Sequence, residues 1–118
     1  MKPTVFLVND DTEIRTVLRD SLTDQDNVVE AGDGQLGLTE VMVGDHNIDL
    51  VVTDLNMPDT NGVGLIENLP DRMKYIIISG YLKLPQYRGA LKHLNPVAVL
   101  EKPFEVQNLR DTIEQTLS

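Results

Sequence analysis

The sequence has no cysteine and no tryptophan, and only five aromatic residues, two Phe and three Tyr. Without thiols there are no disulfides, no thiolate nucleophiles and no zinc–sulfur sites, so redox chemistry is not expected. Long apolar runs are also missing. Nothing approaches the roughly 18 residues of a membrane span, and there is no charged-then-apolar leader, so a cytoplasmic protein without a membrane partner is expected. Basic residues are scarce: ten Lys and Arg stand against nineteen Asp and Glu, a net charge of −9. The bases are scattered rather than gathered into a stripe, and the acidity repels a phosphate backbone, which disfavours direct nucleic-acid binding. No glycine-rich G-x-x-x-x-G-K-[ST] loop is present to cradle ATP or GTP. The only histidines, His46 and His93, fall in a loop-like stretch and near a helix end, and read as exposed or packing residues rather than catalytic bases.

What is present is enough for one globular domain, residues 1–118, with 41% hydrophobic and 25% charged residues. Short apolar runs alternate with amphipathic ones. Thr4 to Val8 reads as a buried strand, and Ile14, Val17, Leu18 and Leu22 recur at helical spacing. Asn27 to Ala31 is a second strand, followed by a turn at Asp33-Gly34 and a helix face made by Leu38, Val41 and Met42. Asp49 to Thr53 is a third strand, leading into the loop Asp54 to Gly62 and a short helix from Val63 to about Leu69. Tyr75 to Ile78 is the most strand-like run and belongs centrally in the sheet. A helix within Pro85 to Leu94, a strand at Val97 to Leu100 and a helix carrying Val106, Leu109, Ile113 and Leu117 complete five strand–helix units. Such alternation predicts an α/β fold with a parallel sheet, right-handed crossovers and helices on both faces.

In that architecture ligands bind outside the carboxyl ends of the strands. The polar residues just past the apolar runs are Asn9-Asp10-Asp11, Asp54, Ser79-Gly80 and Lys102-Pro103. Carboxylates converging on one sheet edge repel one another and call for a cation between them, and an oxygen-only set suits Mg²⁺. Lys102 adds a fixed positive charge, Ser79 a hydroxyl and Gly80 a backbone amide that no side chain shields. A carboxylate nucleophile with a divalent cation, a lysine and a hydroxyl is what phosphoryl transfer requires, because negative charge spreads over three equatorial oxygens.

The segments Val8-Asn9-Asp10-Asp11, Asp54-Leu55-Asn56-Met57-Pro58 with Gly62, Ser79-Gly80, and Lys102-Pro103-Phe104 occur in order, each closing an expected strand. In this the chain resembles the receiver domain of bacterial two-component response regulators, from the first strand to the last helix. The resemblance implies a flavodoxin-like, doubly wound five-stranded parallel sheet of order 2-1-3-4-5 with five helices. It implies that Asp54 accepts a phosphoryl group, that Asp10 and Asp54 bind Mg²⁺ or Mn²⁺, and that Asn56 lends a backbone carbonyl to the metal. It further implies that Ser79 moves toward the phosphoryl group, that Lys102 contacts one of its oxygens, and that the Lys102–Pro103 bond is cis. The implied partners are a histidine kinase or histidine phosphotransfer protein and a downstream protein target or output domain. Such a protein catalyses only its own aspartyl phosphorylation and dephosphorylation.

Two residues depart from the family pattern. Asn9 stands where a second acid is usual, and an amide there reaches the metal only through water, with weaker binding. Asp11 is a poor substitute, since the next residue along an extended chain points away. Val99 stands where many receivers carry a rotating aromatic, and the aromatic Tyr81 lies instead two residues past Ser79. These departures favour an alternative, a receiver-like binding module that no longer depends on phosphate. Taken singly, Asn9-Asp10-Asp11 would be an ordinary N-cap of the first helix and Asp54 an ordinary turn-capping residue. An Mg²⁺-dependent phosphatase would need a second acid where Asn56 stands.

Overall fold

The computed structural model describes residues 2–33, 36, 39, 47–55, 62–70, 73–80 and 95–117. Its strands are β1 (Thr4–Val8), β2 (Asn27–Ala31), β3 (Leu50–Asp54), β4 (Tyr75–Ser79) and β5 (Ala98–Glu101), with helices α1 (Thr12–Leu22), α2 (Gly62–Glu67) and α3 (Val106–Leu117). The strands form one sheet of order β2-β1-β3-β4-β5, and every neighbouring pair is parallel. Leu36 and Thr39 are helical. The rest of the second expected helix, with Leu38, Val41 and Met42, and the whole of the one within Pro85 to Leu94 lie outside the described residues.

The central strands β1, β3 and β4 are runs of branched apolar residues because both faces of the sheet are covered. Alternate residues go to opposite sides. Phe6, Val8, Val51 and Ile77 pack with Leu65 and Ile66 of α2. Val5, Leu7, Val52, Ile76 and Ile78 pack with Leu18 and Leu22 of α1 and Leu109 and Ile113 of α3. Val17, expected on the apolar face of α1, is 55% exposed.

Strand limits shift by one residue from the sequence expectation at three places, always toward the carboxyl end. Asp49 falls just outside β3; its amide donates to the Thr4 carbonyl and its carboxylate accepts from the Thr4 amide, which closes the lower edge. Asp54 belongs to β3 and pairs in register with Ile78. Likewise Ser79 is the last residue of β4, and Glu101 that of β5, the two facing each other.

At the opposite edge of the sheet, α1 and α3 are tied by Arg110, which donates to the Ser21 carbonyl and holds the Asp24 carboxylate at 2.8 and 3.1 Å. That bond keeps the Asp24 carboxyl below its usual range and the guanidinium above its own. Asp26 behaves in the opposite way. It is 3% exposed, and burial pushes its carboxyl up, against the lowering effect of a hydrogen bond from Gln25 Nε2.

The folded chain therefore holds the Asp26 proton more tightly than the unfolded chain does. Its contribution to stability is full below the ordinary Asp value of about 3.9 and is lost as pH rises through the raised native value. Asp26→Asn should accordingly have a higher Tm than the parent at pH 7, and the advantage should vanish in melts below the ordinary carboxylate range. An advantage of the same size at both pH values would show that the carboxylate charge is not its source.

Candidate functional site

The register brings the expected polar residues to one place. Val8 lies opposite Thr53, Asp54 opposite Ile78 and Ser79 opposite Glu101, so the ends of β1, β3, β4 and β5 form a single rim. Alternation carries Asn9 and Asp54 to the face shared by Leu7 and Val52. Asp54 is 5% exposed, and its Oδ2 accepts from Lys102 Nζ at 2.6 Å. The ammonium therefore neutralises a carboxylate that is nearly sealed from water. Lys102 is placed beside it by its backbone amide, which donates to the Ser79 carbonyl at 2.9 Å and extends the β4–β5 ladder by one residue; the Lys102–Pro103 peptide is cis, as the resemblance implied.

Ser79 is fully buried beside this pair. At Gly80 an added Cβ would lie 3.8 Å from Lys102 Cβ, an ordinary contact, so sterics do not require glycine there. Asn56 and Tyr81 lie outside the described residues. Val99 is 38% exposed on β5.

The β1–α1 turn divides its three polar residues among different tasks. Asp10 is exposed at the rim. Asp11 is the N-cap of α1, its Oδ1 accepting from the amides of Glu13 at 2.9 Å and Ile14 at 3.2 Å, and so it does not take the place of a missing acid. Asp11→Ala should cost about 1 kcal/mol in denaturant unfolding, the usual value of such a cap. It should leave any chemistry at Asp54 intact, and a matching loss of that chemistry would give Asp11 a second role.

Asn9 is 2% exposed, and its Oδ1 accepts from the Asp11 amide at 2.9 Å. Its Nδ2 is buried and has no hydrogen-bond partner among the described residues. An orphan donor of this kind suits an oxygen arriving from outside the chain, such as a phosphoryl oxygen or a water held by a cation. Among the described residues no three His, Cys, Asp or Glu gather into a cage. Two carboxylates, Asp10 and Asp54, with no nitrogen or sulfur ligand, nevertheless fit Mg²⁺, which is commonly held by one or two carboxylates and keeps several of its waters.

Two charged residues at the rim escaped the sequence reading. Arg15 of α1 donates from Nη1 to the Asn9 carbonyl at 2.7 Å and from Nε to Glu30 at 3.1 Å. Glu30 also accepts from Arg19 at 3.1 Å. The available signal was a glutamate inside the otherwise apolar Val28-Val29-Glu30-Ala31, facing a helix with arginines four residues apart.

The sequence pattern described as the response regulator receiver domain matches residues 5–114. The chain is 32% identical over 93% of its length to a probable chemotaxis protein CheY of Rhizobium etli, covering 88% of that protein. It is also 32% identical, over 98% of its length, to the DNA-binding transcriptional regulator NtrC of Azospirillum brasilense, but spans only 24% of that longer protein. Among solved structures, a CheY-like response regulator receiver domain protein from Methanospirillum hungatei superposes with a TM-score of 0.89 at 25% identity, covering 99% of this chain and 94% of that one.

Proposed function

The chain belongs to the response regulator receiver domain family, and from that premise we propose that Asp54 accepts a phosphoryl group from a phosphohistidine. The observation that carries this reading is the 2.6 Å pair between Lys102 and a nearly buried Asp54 at the carboxyl rim of the sheet. In the transfer an Asp54 carboxylate oxygen forms a bond to phosphorus, and the phosphorus–nitrogen bond of the donor breaks. The bonding pair stays on the imidazole nitrogen. Lys102 then turns from the carboxylate to a phosphoryl oxygen, Ser79 supplies a hydroxyl to another, and the orphan Nδ2 of Asn9 faces the incoming oxygens.

Asp10 and Asp54, with the Asn56 carbonyl and with Asn9 acting through water, would hold Mg²⁺ or Mn²⁺. Such an ion supplies positive charge to the spreading negative charge of the transfer. The chain's own catalysis ends with its aspartyl phosphorylation and dephosphorylation. A histidine kinase or phosphotransfer protein is the donor, and a protein target or output domain receives the change of shape. A cytoplasmic setting accords with this, and among the described residues no helix is long and apolar enough to cross a membrane.

The second reading, a binding module independent of phosphate, draws on the amide at Asn9. Incubation with acetyl phosphate and Mg²⁺ followed by intact mass separates the two. A single phosphoryl adduct supports the first, and no adduct at any donor concentration supports the second.

A further inference from the structure

Among the described residues every polar group of Asn9 except Nδ2 has a partner, and β2 secures both of its backbone groups. The Asn9 amide donates to the Ala31 carbonyl at 3.1 Å, and the Asn9 carbonyl accepts from Arg15, which Glu30 of β2 holds by its Nε. Arg15 and Glu30 are themselves largely covered, with side chains 18% and 25% exposed. A Cβ at position 32 would lie 3.4 Å from Arg15 Nη1, an ordinary contact, so the guanidinium lies against the backbone at Gly32, just past β2, without requiring glycine there. A guanidinium serves here where an ammonium would not, because its planar fork donates in two fixed directions at once.

We propose that Arg15 is a positioning residue. Braced by Glu30, it fixes the β1–α1 turn so that the Asn9 amide and Asp10 are presented to the ion and phosphoryl oxygens at Asp54. The proposal rests on the phosphoacceptor reading of the site. It also assigns the edge strand β2 a part in the site, although none of its residues reaches the rim's reacting groups. Supports of this kind, one shell removed from the ligands, typically change metal affinity by about 10–100-fold when removed.

The test compares Arg15→Met with Arg19→Met, which removes the same charge from the same helix and also loses a bond to Glu30, but does not touch Asn9. Calorimetry with Mn²⁺ should show about a tenfold loss of affinity in Arg15→Met and little change in Arg19→Met. In the ion-free proteins, the amide resonances of Asp10 and Asp11 and the side-chain amide of Asn9 should move only in the Arg15 variant. Arg15→Lys, which keeps the charge but not the fork, should fall between parent and Arg15→Met and guards against a variant that folds poorly.

Equal affinity losses in both methionine variants would reduce the effect to charge and overturn the proposal. So would unmoved Asn9 and Asp11 resonances in Arg15→Met. If the parent itself binds no Mn²⁺ and takes no phosphoryl group, the phosphoacceptor reading fails, whereas the ion-free resonances still decide whether Arg15 sets the turn.

Discussion

Asp54→Asn, incubated with acetyl phosphate and Mg²⁺, should gain no phosphoryl mass under conditions in which the parent gains one adduct. The amide has the shape of the carboxylate but neither its charge nor its nucleophilicity, so the reaction is lost without a cavity being made. The fold should survive the change. Asp54 is only 5% exposed, and replacing a buried carboxylate by a neutral group removes a desolvation cost along with the ion pair to Lys102. The lysine left behind keeps access to water, its side chain being 28% exposed. A full adduct in Asp54→Asn would move the phosphoacceptor to another acid, with the exposed Asp10 the first to be examined. Loss of the adduct together with a collapsed melting transition would instead point to misfolding, which is why the melt belongs in the same experiment.

The sheet was legible because its strands are short, apolar and β-branched on both faces, so that runs such as Tyr75 to Ile78 admit few other readings. Their ends were less legible. Asp54, Ser79 and Glu101 are polar and look like loop residues, yet each closes a strand. They do so because the rim supplies partners that a linear reading does not see, namely Lys102 for Asp54 and the Ser79 carbonyl for the Lys102 amide. The candidate site was readable for a related reason. In a parallel sheet every strand ends at the same edge, so residues far apart in sequence are collected by position alone.

Arg15 and Glu30 were not readable in this way. Their link spans a helix and an edge strand, and it depends on the reach of the guanidinium and on the direction of the Asn9 carbonyl. Neither follows from periodicity. Asp26 was missed for a different reason: in a stretch of short polar residues nothing in the letters distinguishes a turn carboxylate that is 3% exposed from one that is solvated.

Lys102→Met should have two separable consequences, and their dependence on Asp54 tests the central pair of the site. The first is kinetic. A preorganised donor aimed at developing oxygen charge in a water-poor site is worth roughly 10²–10³ in rate, so phosphoryl uptake from acetyl phosphate should slow by about that factor. The second is thermodynamic. Methionine fills much of the lysine's volume, but it leaves the Asp54 carboxylate, 5% exposed, without the ammonium now 2.6 Å away. Losing the partner of a buried acceptor costs about 1–3 kcal/mol, more when the acceptor is charged. Combining the change with Asp54→Asn removes the charge that needed a partner, so the double variant should recover most of the stability that Lys102→Met loses. Denaturant unfolding of the parent, both single variants and the double variant closes the cycle. A coupling of at least about 1 kcal/mol is expected for groups in direct contact. Simple additivity, with Lys102→Met equally destabilising in both backgrounds, would mean that Lys102 acts through its stem's packing and not through the carboxylate. The kinetic loss would then need a different account, one in which Lys102 meets the phosphoryl group without first being held by Asp54.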